Sequence, residues 1–210
     1  MPVSKEYMEN KSHWEKIYQQ KQPDELSWTQ EYPEASLLAI KKLNLPYDSA
    51  IIDIGSGDSN LVDYLLEEGY RNITLLDISD AALIRAEKRL GPDKARNIKW
   101  VVSDASEFIT KQKYNLWHDR ATFHFLTEQK AIEKYVQKVN EAVSDYMIIG
   151  TFSENGPEKC SGLPVKRYSE SDLTAVFSDN FEKLECKKHL HKTPSGASQE
   201  FLYCTFRRKN

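Results

Sequence analysis

The sequence predicts an α/β protein: a Rossmann-like, seven-stranded, mostly parallel sheet with helices on both faces and a C-terminal antiparallel hairpin. Three observations lead there. A short apolar run ends in an acid and two glycines, Ala50-Ile-Ile-Asp-Ile-Gly-Ser-Gly57, and an amphipathic segment from Asn60 to Glu68 follows directly. Strand-like and helix-like segments then alternate as far as Phe152, which calls for parallel strands joined by right-handed crossovers. The last two strand-like runs, Phe181 to Lys192 and Glu200 to Arg208, are joined through Pro194-Ser-Gly-Ala-Ser198, too short for a crossover helix.

Each element has its own warrant. Trp14, Ile17 and Tyr18 recur at helical spacing within Glu6 to Gln20, and Pro23 ends that pattern. Pro33 suits the first turn of a second helix running through Leu37, Leu38 and Leu43. Ile73 to Ile78 is a second buried strand, and Ser79 or Asp80 can cap a helix that Gly91-Pro92 stops at Leu90. Ile98 to Val102, Tyr114 to His118 and Asp145 to Phe152 read as strands, with a helix from Thr127 to about Ala142. Ser153 to Lys166 reads as a long loop, and Ser169-x-x-Asp172 as a capping box for a short helix to Phe177. One domain over residues 1–210 is expected, with residues 1–45 as a helical lid on a core of residues 46–210.

Composition excludes several classes. The 210 residues are 40% hydrophobic and 29% charged, as in a soluble globular protein. A net charge of −3, from 29 basic and 32 acidic residues, gives no polybasic footprint, so no nucleic-acid partner is expected. No apolar run reaches the roughly 20 residues of a membrane helix. The N-terminal residues lack the apolar core of a secretory signal, so a cytoplasmic location is expected. Cys160, Cys186 and Cys204 form no Cys-x-x-Cys and no zinc-like spacing with histidine, and no metal is expected. Cys186 and Cys204 fall on neighbouring strands, where a reducing compartment would keep them as thiols.

The glycine turn lies at the carboxyl end of a buried strand, where open α/β sheets bind nucleotide-like ligands. Gly55 permits the turn, and Gly57 is expected to let a flat ligand approach the main chain. Asp77, twenty residues beyond Gly57 at the end of the second strand, can accept hydrogen bonds from both hydroxyls of a ribose, or else cap the next helix. Asp104, followed by Ala105, can meet an adenine amino group or simply form a turn. Asn60 stands where a dinucleotide fingerprint has its third glycine, and no P-loop occurs. Asp53 at the turn disfavours a diphosphate and tolerates a cation. S-adenosylmethionine, an adenosine with a sulfonium and no phosphate, fits these residues.

The segment Ala50 to Ala105 resembles the class I S-adenosylmethionine-dependent methyltransferases. Asp53 to Ser59 matches their glycine motif, with Ser59 replacing its last glycine. That variant, with Gly69 to Ile73 before Leu76-Asp77-Ile78-Ser79, resembles the subgroup of elongation-factor 1A lysine methyltransferases, as do Trp14 to Tyr18 and Ser27-Trp28. The resemblance implies that Gly55, Ser56, Gly57 and Ser59 line the methionine part of the cofactor. It places Asp77 and Ile78 at the ribose, Asp104 and Ala105 at the adenine, and Trp28 over the pocket. Where lysine-modifying relatives carry an acid before Lys-Gly-Thr, this chain has Asp119-Arg120-Ala121-Thr122, an Asp-Arg pair that also resembles thiopurine-type small-molecule methyltransferases. The acceptor is therefore expected to be a small molecule or a protein side chain.

Methyl transfer from a sulfonium needs alignment more than a protein nucleophile, and a base only where the acceptor arrives protonated. Candidates cluster at the end of the fourth strand. Asp119 can hold the cofactor's amino group, take a proton, or pair with Arg120. Arg120 can clamp a substrate carboxylate or form a structural salt bridge. His118 and His124 are further titratable candidates, His124 either as a base or as an aromatic neighbour packed within Phe123-His-Phe-Leu126. Tyr18, Trp28 and Tyr32 can form an aromatic wall. Competing readings are a non-catalytic adenosine-binding module, which would bind without turnover, and a nicotinamide-dependent reductase, which would need phosphate contacts at the glycine turn.

Overall fold

All five residues of β1 (Ala50–Ile54) are buried, as only a central strand covered on both faces can be. The computed structural model describes residues 5–209. Around β1 lie β2 (Asn72–Asp77), β3 (Ile98–Val102), β4 (Tyr114–Arg120) and β5 (Val143–Phe152), all parallel. Two short strands, β6 (Lys159–Cys160) and β7 (Leu163–Pro164), pair within the loop beyond β5. The C-terminal strands β8 (Phe181–Lys192) and β9 (Ser198–Arg208) form the antiparallel hairpin, with β9 against β5. The seven-stranded order is β3-β2-β1-β4-β5-β9-β8. The chain winds outward from β1 to β3, then returns to β4 on the other side of β1, which makes the β1/β4 boundary a topological switch point.

Side chains alternate between the faces of each strand, and the two faces meet different helices. Ile52, Ile54 and Trp117 pack with Tyr135 and Val139 of α5 (Gln129–Ala142) and Leu173 and Phe177 of α6 (Glu170–Phe177). Ile51 and Leu116 pack with Leu37 of α2 (Glu34–Lys41), Leu65 of α3 (Leu61–Glu67) and Leu83 of α4 (Asp80–Ala95). In the register of β1 against β4, Asp53 lies beside His118 and Ile54 beside Asp119. His118 and Arg120 therefore share the α2/α3 face, and Asp119 takes the α5 face.

The first helix, α1 (Lys5–Gln20), is pinned across the carboxyl edge. Glu15 accepts hydrogen bonds from the backbone N–H groups of Asp80 (2.8 Å) and Ala81 (3.1 Å) and from the Ser79 hydroxyl (3.2 Å). A carboxylate here satisfies the free donors and positive end of α4. Trp14 sets its ring against Trp28 at 5.7 Å and Phe125 at 5.0 Å.

Several boundaries differ from those expected. Gly91, with φ of 73°, breaks the helical path, but Pro92 opens a further turn, so α4 is kinked there and reaches Ala95. The helix expected from Thr127 starts at Gln129, after Glu128 at the cap. Strand β4 runs on to Arg120. Cys186 and Cys204 face each other in register and are joined as a disulfide, where free thiols were expected. Among the described residues no helix is long and apolar enough to cross a membrane.

A buried polar chain holds β4 to α5. Trp117 Nε1 donates to Tyr135 Oη at 2.8 Å, and that hydroxyl donates to Asp119 Oδ2 at 2.5 Å. Replacing the hydroxyl orphans a buried donor and leaves the carboxylate one partner short, at a cost of about 1–3 kcal/mol for each such group. Tyr135→Phe is expected to lower the unfolding free energy by about 2–4 kcal/mol in urea denaturation; a loss under about 0.5 kcal/mol would show that water replaces the hydroxyl.

Candidate functional site

The carboxyl ends of β1 to β4 open into a cavity of about 920 Å³, roofed by α1 and by the loop carrying β6 and β7. That is at the upper end of small-ligand sites, roughly 300–1,000 Å³. It is lined toward β2 and β3 by Asp77, Ile78, Ser103, Asp104 and Ala105, and toward β4 by His118, Arg120 and Thr122.

At the end of β1 the backbone turns through left-handed values, φ 59° at Gly55 and 55° at Gly57. A β-carbon on Gly55 would sit 1.7 Å from Thr122 Oγ1, and one on Gly57 would sit 2.3 Å from Tyr18 Oη. Both positions therefore need glycine, but Gly57 for a reason other than the one expected. The Tyr18 hydroxyl occupies the approach to its main chain, and Gly57 is not among the residues lining the cavity. Gly55, Ser56 and Ser59 do line it, and Ser56 Oγ is buried without a hydrogen-bond partner.

Asp77 organises this half of the site. Its Oδ2 accepts from Gly57 N at 2.8 Å and its Oδ1 from Ser79 N at 2.8 Å, so it anchors the turn and the entry to α4 together. Ser79 caps that helix, accepting from Ala82 N at 3.2 Å. Burial pushes the Asp77 carboxyl up to about 6, against the pull of the two backbone donors. Each oxygen keeps a further lone pair for a ligand. Asp104 Oδ1 accepts from the Ser106 backbone (2.7 Å) and hydroxyl (2.6 Å), a turn that holds the carboxylate at the cavity edge.

The β4 half departs from the sequence-based assignments. Asp119 is fully buried on the α5 face, accepting from Tyr135 and from the backbone N–H groups of Thr122 (3.0 Å) and Phe123 (3.2 Å). It does not line the cavity, because strand alternation turns it away, which disfavours the roles expected for it at the cofactor and the acceptor. Burial pushes its carboxyl up to about 6. His124 is also buried off the cavity, stacked on Phe152 with ring centroids 4.6 Å apart, and its Nδ1 accepts from Phe152 N at 3.3 Å. Burial, aided by the Arg120 charge, lowers its value to about 3, which suits a neutral packed ring rather than a base. Tyr32 is 55% exposed, packs edge-on against Tyr64 and does not line the cavity, whereas Trp14, Tyr18, Trp28 and Phe125 do.

Asp53 lines the cavity but is committed to His118. Nδ1 of His118 lies 2.6 Å from Asp53 Oδ1, and Nε2 lies 2.9 Å from Ser36 Oγ on α2. A carboxylate only accepts, so Nδ1 carries a proton, and in the neutral imidazole Nε2 accepts while the Ser36 hydroxyl donates. All three residues are buried, and all three line the cavity. An imidazole backed by a carboxylate can accept a proton, a capacity the sequence reading left with its neighbours. Its available signal was the two-residue spacing from Arg120, which puts both on one face.

Comparison with known proteins agrees with this geometry. A family model described as a methyltransferase domain matches residues 51–145, from β1 into β5. EEF1A lysine methyltransferase 2 of Homo sapiens is 25% identical over 186 residues, covering 83% of this chain and 75% of the human protein. Its counterpart in Mus musculus is 25% identical over 190 residues. Among solved structures, a SAM-dependent methyltransferase from Anabaena variabilis superposes with a TM-score of 0.74 at 16% identity, covering 99% of this chain and 97% of that one. The 1,6-didemethyltoxoflavin-N1-methyltransferase of Burkholderia thailandensis, solved with 1,6-didemethyltoxoflavin and S-adenosylhomocysteine bound, gives 0.70 at 18% identity, covering 100% and 93%. Residues 51–145 thus match a methyltransferase domain, and the fold of the chain is that of S-adenosylmethionine-dependent methyltransferases. The residues present fit S-adenosylmethionine as the cofactor. The acids Asp58, Asp77 and Asp104 line one side of the cavity, which favours a cation over a phosphate, and the orphaned Ser56 hydroxyl needs a partner.

The packing of Tyr18 over Gly57 sets a test. Gly57→Ala combines left-handed strain with displacement of a buried phenol, and is expected to cost about 1–3 kcal/mol in chemical denaturation. A variant as stable as wild type would contradict the close approach.

Proposed function

We propose that this chain moves the methyl group of S-adenosylmethionine onto a nucleophile held over β4 and β5, and that the β2/β3 half of the cavity holds the cofactor. The observation that supports this best is Asp77, a buried carboxylate presented at the end of β2, already oriented by two backbone donors and still able to accept. In this reading Asp77 accepts from the ribose hydroxyls, Ile78 packs beside them, and Asp104 with Ala105 flanks the adenine. Gly55, Ser56 and Ser59 meet the methionine part. Asp53 serves through His118 rather than by touching the cofactor.

When bound, the cofactor supplies a methyl group already activated on sulfur. The work left to the protein is alignment, exclusion of water and disposal of a proton. Orientation contributes about 7–11 kcal/mol in favourable cases, and the roof of Trp14, Tyr18 and Trp28 keeps the acceptor and its partner in register. The Asp53–His118–Ser36 relay is the group on the acceptor side able to take a proton as the new bond forms.

The name of the human relative makes a protein lysine the second reading of the acceptor. A small molecule is favoured by the roofed cavity, which Asp119 of β4 does not line. Turnover separates both from a silent cofactor-binding module: incubation with methyl-labelled cofactor and either a metabolite pool or whole lysate yields labelled small molecules, labelled protein, or neither.

Asp77→Ala is expected to weaken S-adenosylhomocysteine more than tenfold in titration calorimetry, from loss of about 1.5–3 kcal/mol of charge-assisted hydrogen bonding. Unchanged affinity would remove Asp77 from the ribose. The ionised carboxylate is the better acceptor, and its ordinary value is raised to about 6. Wild-type affinity should therefore be level above that pH and decline below it, whereas Asp77→Asn should be weak and pH-independent over the same range. A decline of equal size in Asp77→Asn would assign the titration elsewhere.

A further inference from the structure

Among the described residues, Arg120 at the β4 end of the cavity is hydrogen-bonded to neutral groups alone. Arg120 Nε donates to Tyr203 Oη at 3.0 Å, and Nη1 donates to the Trp28 carbonyl at 2.8 Å. Its Cζ lies 4.9 Å from the Phe201 ring centroid. These two bonds use two of the guanidinium's five N–H groups, and Nη2 is buried with no hydrogen-bond partner. The titratable groups nearby do not supply a counter-charge. Burial and the Arg120 charge keep His124 neutral, burial followed by the same charge lowers His191, and burial pushes the Cys160 thiol up to about 11. A half-buried cation with one buried, unpartnered N–H group and no opposing anion is costly, and it is well placed where an anion arrives.

The position of this cation selects which ligand would bring that anion. Arg120 lies at the end of β4, beyond β1 from the acids at Asp77 and Asp104, on the strand that faces the acceptor rather than the adenosine half. Besides Trp28, whose carbonyl it meets, the cavity's apolar lining includes Phe125, Leu163 and Pro164. We propose that Arg120 anchors the methyl acceptor through a carboxylate, and that the acceptor is a small molecule bearing that carboxylate on an apolar body. The planar fork of the guanidinium matches a carboxylate in two parallel hydrogen bonds, and the Phe201 ring beneath it fixes the plane. A lysine side chain is the wrong partner at this point, because its ammonium would meet a like charge. The assignment rests on the methyl-transfer reading, since it is the cofactor that divides the cavity into two halves.

The test uses the whole chain and four probes of one shape: benzoate, benzamide, phenyl phosphate and benzylamine, each titrated calorimetrically with and without S-adenosylhomocysteine. Benzoate is expected to bind, with benzamide and benzylamine at least about tenfold weaker. Arg120→Gln should lose about tenfold or more in benzoate affinity while keeping S-adenosylhomocysteine within about threefold, and Arg120→Lys should fall between, retaining charge without the fork. Absence of benzoate binding, equal binding of benzoate and benzamide, or an unchanged Arg120→Gln would overturn the anion anchor. Tighter binding of phenyl phosphate than benzoate would overturn the carboxylate in favour of a phosphate. If Arg120→Gln does not fold, the benzoate–benzamide pair on wild type still decides the matter. Failure of S-adenosylhomocysteine to bind in the same titrations strikes the methyltransferase reading instead, and is read separately from the benzoate result.

Discussion

The carboxyl edge of the sheet is organised by one buried carboxylate that holds two backbone segments at once. Asp77 takes the N–H of Gly57 on one oxygen and that of Ser79 on the other, so the turn after β1 and the start of α4 cannot move independently. Ser79 in turn caps α4 and donates to Glu15, which extends the same network to α1. Tyr18, two residues before the end of α1, then covers Gly57. Roof, turn and helix entry thus form one unit whose centre is the group best suited to hold a ribose. Such preorganisation costs little on binding because the carboxylate is already ordered.

The second constraint is the two-residue period of β4. It assigns neighbouring polar residues to opposite faces and thereby to different tasks. Asp119, with Tyr135 and Trp117, is part of the core of the α5 face and holds the helical turn at Thr122 and Phe123. His118 and Arg120 look into the cavity from the other face, one backed by Asp53 and the other bound only to neutral oxygens. The β4 half of the cavity consequently combines an imidazole backed by Asp53 with a cation bound to neutral oxygens, while Asp77 and Asp104 line the β2/β3 half. That separation of charge across the switch point gives the site its polarity.

Much of this was legible in the chain because the informative signals are local. The buried runs of β1 and β2, the glycine turn, the capping box at Ser169 and the short hairpin connection each declare themselves within a dozen residues. Asp77 and Asp104 follow from their place at strand ends. What escaped was nonlocal: Ser36 reaches His118 across 82 positions, and Tyr18 reaches Gly57 from another helix. Asp119 drew attention for its charge, although the alternation of β4 already separated it from its neighbours. Gly91-Pro92 read as a stop because glycine there does break the helix, while the proline's suitability for a new first turn lay one residue further on. The Cys186–Cys204 disulfide depends on exact strand register, which spacing alone leaves open.

The most direct measurement is a crystal structure of this chain grown with S-adenosylhomocysteine. The account predicts the ribose hydroxyls within hydrogen-bond distance of Asp77, the adenine alongside Asp104 and Ala105, and the sulfur facing the space between His118 and Arg120. A ligand seated elsewhere, with Asp77 still bound only to Gly57 and Ser79, would contradict it.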